Sequence, residues 1–301
     1  NDNDDPPVLM FDSETYSVEE AVGNYLDVKV KFVDNGSNII LTEKTITALI
    51  SDKGTGDAVS VHDYNAITNE TQLTVADGAS GSAFNGITIV QDNRFENSET
   101  IVLGLTVNGA SNASAGSAAQ TTATITINAD DDDVPQIQFY SSDGSAPSDE
   151  EDVNETVGGF DVTFGISNNV ITDRDIVIDY SIDLVNSTAT VDDNETGFLA
   201  ATNNSYPSDF RGWTGITASN WNADRTLQGQ ITMSADLARA VTPPQTASFT
   251  IPINAGDGVD ANDDETILLS LDGVALGTLG ADQSFTIKID DNTADFPVNV
   301  Q

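Results

Sequence analysis

Three times along this chain a run of acidic residues passes through a proline into a short apolar segment, and that recurrence limits the folds open to it. The chain begins Asn1-Asp2-Asn3-Asp4-Asp5-Pro6-Pro7 and continues as Val8-Leu9-Met10-Phe11. Asp130-Asp131-Asp132-Asp133-Val134-Pro135 leads into Gln136-Ile137-Gln138-Phe139. Asp290-Asp291-Asn292 leads through Asp295-Phe296-Pro297 into Val298-Asn299-Val300-Gln301. A spacing of about 130 to 160 residues is a domain repeat, too long for a solenoid turn. The expected division is 1–5, the tail of a preceding module; 6–133, module 1; 134–292, module 2; and 293–301, the first strand of a following module. Such a chain reads as a piece of a longer tandem array.

Between these marks the patterning is that of strands. Leu26-Asp27-Val28-Lys29-Val30-Lys31-Phe32 alternates apolar and polar residues, as does Thr122-Ala123-Thr124-Ile125-Thr126-Ile127, with Ile87 to Val90 and Ile101 to Val107 between them. Module 2 repeats the pattern at Phe160 to Phe164, Ile176 to Tyr180, Phe249 to Ile253, Ile267 to Leu271 and Phe285 to Ile289. No segment combines helical periodicity with caps. About seven short strands per module, punctuated by Gly, Asn, Asp and Ser, predict an all-β chain of two tandem seven-stranded antiparallel immunoglobulin-like β-sandwiches.

Charge then narrows the function. The chain carries 49 acids against 10 bases, a formal charge of -39, with one histidine and no cysteine. That field repels nucleic acid and anionic membrane and attracts cations. No apolar run approaches the ~20 residues of a membrane helix, so no membrane insertion is expected. Without disulfides, rigidity must come from packing or bound ions.

The acids also cluster. In module 1, Glu19 and Glu20 follow the first strand, Asp63 the third, Asp92, Glu96 and Glu99 the fifth, and Asp130 to Asp133 the seventh. Strands that reverse at every turn bring the loops after the odd-numbered ones to the same end, so these four segments are predicted to meet. Crowded carboxylates require raised pKa values or a shared cation. Hard oxygen donors without His or Cys favour Ca2+, which takes about six to eight oxygens in irregular geometry, over octahedral Mg2+. Solvated acids on the loops of a marine or halophilic protein are the competing reading.

Ser17-Val18-Glu19-Glu20-Ala21-Val22-Gly23, then His62-Asp63-Tyr64, then Asp92-Asn93-Arg94-Phe95-Glu96-Asn97-Ser98-Glu99, then an acidic exit, together resemble the Calx-β domain, a module of sodium–calcium exchangers, an integrin β subunit and large bacterial surface proteins. The resemblance implies Ca2+ ligation by Glu20, Asp63, Asp92, Glu96, Glu99, Asp130 and Asp131, with the main-chain carbonyl of Arg94 at a further ligating position. In module 2 it implies Glu155, Asp209 (in Ser208-Asp209-Phe210), Asp257, Asp260, Asp264, Glu265, Asp290 and Asp291. The segment from Asp257 to Glu265 holds one residue more than its counterpart, which leaves the choice among Asp260, Asp263 and Asp264 open.

Module 2 also holds a long insertion near 181–228 with Tyr206, Phe210, Trp213 and Trp221. Such a cluster is more often a satellite core under a long loop than a sugar-stacking surface. Asp192-Asp193-Asn194-Glu195 begins like an EF-hand loop, but its twelfth position is Asn203 instead of glutamate. Catalysis finds little support: there is a single histidine, His62, and no Gly-x-Ser-x-Gly elbow. The expectation is a non-enzymatic, Ca2+-binding structural module of a secreted or cell-surface protein, an adhesin stalk or extracellular filament, with ions rigidifying domain junctions. Its partners would be neighbouring modules or other copies of the chain. The alternatives are recognition of glycan or protein through the Trp213/Trp221 region, and a regulatory Ca2+ sensor. If the chain is a complete subunit, 293–301 could serve as a donor strand.

Overall fold

The computed structural model describes residues 6–20, 23, 28–34, 38–67, 71–108, 113–129, 133–154, 158–183, 185–189, 226–253 and 265–290. The regular structure in them is β. In chain order the strands are β1 (Val8–Phe11), β2 (Thr15–Glu19), β3 (Val28–Val33), β4 (Ile46–Asp52), β5 (Thr71–Val75), β6 (Gly81–Phe84), β7 (Arg94–Phe95), β8 (Glu99–Val107), β9 (Ser114–Ala115) and β10 (Thr122–Asn128). They continue with β11 (Gln136–Tyr140), β12 (Glu150–Asn154), β13 (Phe160–Ile166), β14 (Ile171–Thr172), β15 (Ile176–Asp183), β16 (Thr226–Met233), β17 (Thr246–Ile251), β18 (Glu265–Ala275), β19 (Thr278–Leu279) and β20 (Ser284–Asp290). No helix among the described residues is long and apolar enough to cross a membrane. The chain forms two units, one of Asn1–Asp92 with Glu96–Asp131 and one of Asp132–Gln301 with Asn93–Phe95.

The first unit has a four-stranded sheet in the order β6-β3-β1-β9 and a five-stranded sheet in the order β2-β10-β8-β4-β5. Period-two patterning explains what each strand buries. On β10, Ala123, Ile125 and Ile127 are buried while Thr122, Thr124 and Thr126 alternate with them toward the other face. On β4, Ile46, Ala48 and Ile50 do the same. The core joins these to Leu9 and Phe32 of the opposite sheet.

The architecture differs from the antiparallel seven-strand expectation. β1 pairs with β9 and β2 with β10, both in parallel, so the first and last segments of the unit each divide between the two sheets. The described strands of the two sheets therefore number nine. A parallel pair has no hairpin to announce it, and its members lie far apart in sequence.

The second unit repeats this order, as β17-β13-β11-β19 and β12-β20-β18-β15-β16. The registers match too. Glu99 opens β8 opposite Ile127, and Glu265 opens β18 opposite Ile289. Asp57 Oδ1 accepts the Thr100 N–H at 2.6 Å, and the Thr188 hydroxyl accepts the Thr266 N–H at 2.8 Å. The next residues, Ala58 and Ala189, both donate to the carbonyl of that threonine. The second core is more aromatic: Phe139 lies 5.0 Å from Phe164 and 5.4 Å from Phe285, ring to ring, and all three are fully buried.

Within the second unit, β7 pairs in parallel with β14, through the Asn93 carbonyl to Ile171 N–H and the Phe95 carbonyl to Asp173 N–H. Phe95 joins the second core, with the Arg174 guanidinium 4.6 Å above its ring. The buried Arg94 guanidinium donates to the Asp173 carboxylate and to the Asp236 carbonyl (2.7 Å), and lies 3.5 Å from Asp236 Oδ2. Desolvation raises the Asp236 carboxyl, but the N–H groups of Ala240 and Val241 and the charge of Arg94 outweigh it, so its pKa lies below the ordinary value.

Two substitutions test this packing. Phe139→Ala should cost about 3–5 kcal/mol by opening a cavity among three rings, read as an earlier urea midpoint for the second unit. Arg94→Met should cost about 3–5 kcal/mol in the same measurement, because it leaves the buried Asp236 and the partly buried Asp173 carboxylates without their cation.

Candidate metal centre

The loops of the first unit bring three of the predicted ligands together. Asp63, between β4 and β5, meets Glu96, just after β7, and Glu99, the first residue of β8; one carboxylate oxygen from each lies within 4.8 Å of the others. Asp63 and Glu96 are 4% and 5% exposed, and Glu99 is partly buried.

Local hydrogen bonds fix each of these segments. The Val59 N–H donates to Asp63 Oδ2, the Asp63 N–H returns to the Val59 carbonyl at 3.0 Å, and the Val90 N–H donates to the Asp63 carbonyl at 3.0 Å. One Asp63 oxygen is thus held by its own loop, and the backbone is tied to the strand-like run that leads to Asp92. Glu99 is placed by its neighbour: both the N–H and the hydroxyl of Thr100 donate to Asp57 Oδ1 at 2.6 Å. The Thr100 hydroxyl, with help from the backbone, holds the Asp57 carboxyl below its ordinary pKa. Asp57 gave no signal of this role in the sequence, where it is one more acid in a Gly-rich turn.

Glu20 and Asp92 belong to the same neighbourhood in a different way. Buried Glu20 uses Oε1 to accept the Asp92 N–H at 3.3 Å, which ties the end of β2 to the segment before Glu96. They are not members of the mutually close set of oxygens. Ala129, at the exit of β10, donates to the Ser98 hydroxyl at 3.1 Å, but Asp130 and Asp131 lie outside the described residues. The Arg94 side chain is engaged in the second unit's ion pair, a use that sequence reasoning missed because a buried partner for an arginine is set by topology and not by spacing.

In the second unit, Glu265 holds the place of Glu99, and Asp290 ends β20 in the register of Asn128, exposed and paired with Asn154. Glu155, Asp209, Asp257, Asp260, Asp264 and Asp291 lie outside the described residues, as do Trp213 and Trp221.

Three carboxylates this close repel. At an effective dielectric of ~20, each ionised pair within 4.8 Å costs about 3 kcal/mol or more. A shared proton or a cation relieves that cost. The donor set is all oxygen, formally triply negative, and drawn from two separated stretches of chain. It suits a hard divalent cation, which these residues could hold together.

No protein-family model matches the chain, and no curated protein does either. Among solved structures, one described as CBD12 from CALX1.2 is 14% identical, covering 94% of this chain and 99% of its own, at a TM-score of 0.35. The apo form of the Calx CBD1 domain is 21% identical over 42% of this chain and 98% of its own, at 0.32. The adhesin CfaE of enterotoxigenic E. coli is 10% identical over 92% of this chain and 97% of its own, at 0.30. TM-scores this low assign no family.

Charge crowding yields a prediction of unusual sign. In the presence of chelator, Glu96→Gln should raise the melting temperature of the first unit by several degrees, because it removes two repulsive pairs. A drop of similar size would show that Glu96 stabilises the metal-free fold by other contacts.

Proposed function

We propose that the first unit is a Calx-β-like module whose biochemical act is to bind Ca2+, and that the chain serves as a structural part of a secreted or cell-surface protein, such as an adhesin stalk or extracellular filament. The observation that carries this is the convergence of Asp63, Glu96 and Glu99 to within 4.8 Å in a largely buried setting. Glu20 and Asp92, tied to one another through the Asp92 N–H, are further oxygen donors in the proposal, as are the aspartates that follow Ala129 in sequence. Ca2+ suits such a site better than Mg2+ because loop-borne carboxylates do not supply a strict octahedron.

The second unit carries a similar site in this reading, with Glu265 acting as Glu99 does. Counting five residues from Ala189, as from Ala58 to Asp63, reaches Asn194, and Asp192 and Asp193 just before it compete with Asp209 for that role. Other modules of the same protein, or other copies of the chain, are the proposed partners. The proposed stiffening of module junctions by ions rests on the aspartates from Asp130 onward.

Because Asp63 and the Glu96–Glu99 pair assemble only on folding, bound Ca2+ stabilises the native state by mass action. At about a hundredfold excess over the dissociation constant, one site contributes ~2.7 kcal/mol. Melting should therefore move upward between chelator and millimolar Ca2+, and less with Mg2+. Identical midpoints in chelator and Ca2+ would contradict the proposal.

A further inference from the structure

Building on the reading of Asp63 as a cation ligand, we infer that Tyr64 is a positioning residue for it: the Tyr64–Asp52 hydrogen bond anchors a strained turn that presents Asp63 to Glu96 and Glu99. The turn from Val59 to Tyr64 is closed by three backbone bonds, Val61 N–H to the Tyr64 carbonyl at 2.7 Å, His62 N–H to the Val59 carbonyl at 3.1 Å, and Asp63 N–H to the same carbonyl at 3.0 Å. To close it, Val61 adopts a φ of 81°. A β-branched residue rarely takes that conformation, since its Cβ substituents crowd the backbone. Such strain costs on the order of 1–3 kcal/mol and persists only where the surroundings enforce it.

Val61 does not enforce it by its own burial, for its side chain is 70% exposed and that of Val59 is 43% exposed. The restraint comes from the far end of the turn. Tyr64 is 3% exposed, its ring packed in the first core, and its backbone bridges to Ile89. Its hydroxyl donates to Asp52 Oδ2 at 2.5 Å, while Asp52 Oδ1 accepts the Gly54 N–H at 2.8 Å. Asp52 is the last residue of β4 and pairs with Leu103 of β8, so the acceptor is part of the rigid sheet. Burial, then the Asp52 carboxylate and the charge of Asp63, hold the phenol well above its ordinary pKa, which keeps it a donor.

The hydroxyl therefore links the ligand-bearing turn to the sheet through a side chain on both sides, beside the backbone tie from the Val90 N–H to the Asp63 carbonyl. Without it, the strain at Val61 can relax by moving the turn, and Asp63 moves with it. A glycine at position 61 removes that driving force, because φ near 80° costs glycine little. The mechanism thus predicts damage at one position and its repair at another, neither of which touches the ion.

Ca2+ titration calorimetry on the full chain tests this, with Glu96→Gln marking the part of the isotherm that belongs to the first unit. Tyr64→Phe should weaken that part about tenfold or more, as loss of a ligand-orienting contact does, with the chelator melting point little changed. Tyr64→Phe with Val61→Gly should recover most of the affinity. An unchanged affinity in Tyr64→Phe, or a weakened one that Val61→Gly does not restore, would overturn the positioning role while leaving the Ca2+ reading intact. If the parent chain shows no component sensitive to Glu96→Gln, the Ca2+ reading and this inference fall together.

Discussion

Mutual repulsion among Asp63, Glu96 and Glu99 is the constraint on which the account of the first unit depends. A sandwich with well-patterned strands has no need to bury acids at the ends of its loops, and burying them works against folding. That cost is concentrated where three carboxylate oxygens come within 4.8 Å of one another. Ca2+ would turn the same crowding into a net attraction, and the site's dependence on folding would make the ion a part of the fold.

The scaffold explains why the crowding survives. Asp63, Glu99 and the neighbouring Glu20 are positioned by bonds to groups outside the cluster. Asp63 is held through Val59 and Val90, Glu99 through the grip of Asp57 on Thr100, and Glu20 through the Asp92 N–H. Most of these anchors are backbone groups or residues next to a strand, so moving the acids apart requires breaking bonds of the surrounding sandwich. The second unit repeats the Thr100 anchor with Thr188 and Thr266, which indicates that the same local device frames the start of β18.

Much of the fold was legible in the sequence because period-two patterning is a local signal. Runs such as Thr122 to Ile127 and Phe160 to Phe164 became strands with the predicted faces inward. The parallel pairs were not legible, since the bond between Thr15 to Glu19 and Thr124 to Asn128 depends on topology and leaves no hairpin turn behind. Of the four acidic segments expected to meet, those of Asp63 and of Glu96 with Glu99 do so, a proximity legible in sequence because alternating strand direction brings such loops to one end. The roles of Tyr64, Asp52, Asp57 and the Arg94–Asp173–Asp236 group were not legible, because each acts through a partner brought near only by folding.

The most direct measurement is a crystal structure of the chain grown in millimolar Ca2+. The account predicts a density peak between Asp63, Glu96 and Glu99, with oxygen ligands at about 2.3–2.6 Å and a coordination number of about six to eight. It also predicts Asp63 in the same turn, with Val61 still at positive φ. Ordered carboxylates at these positions with water alone between them, under saturating Ca2+, would contradict it.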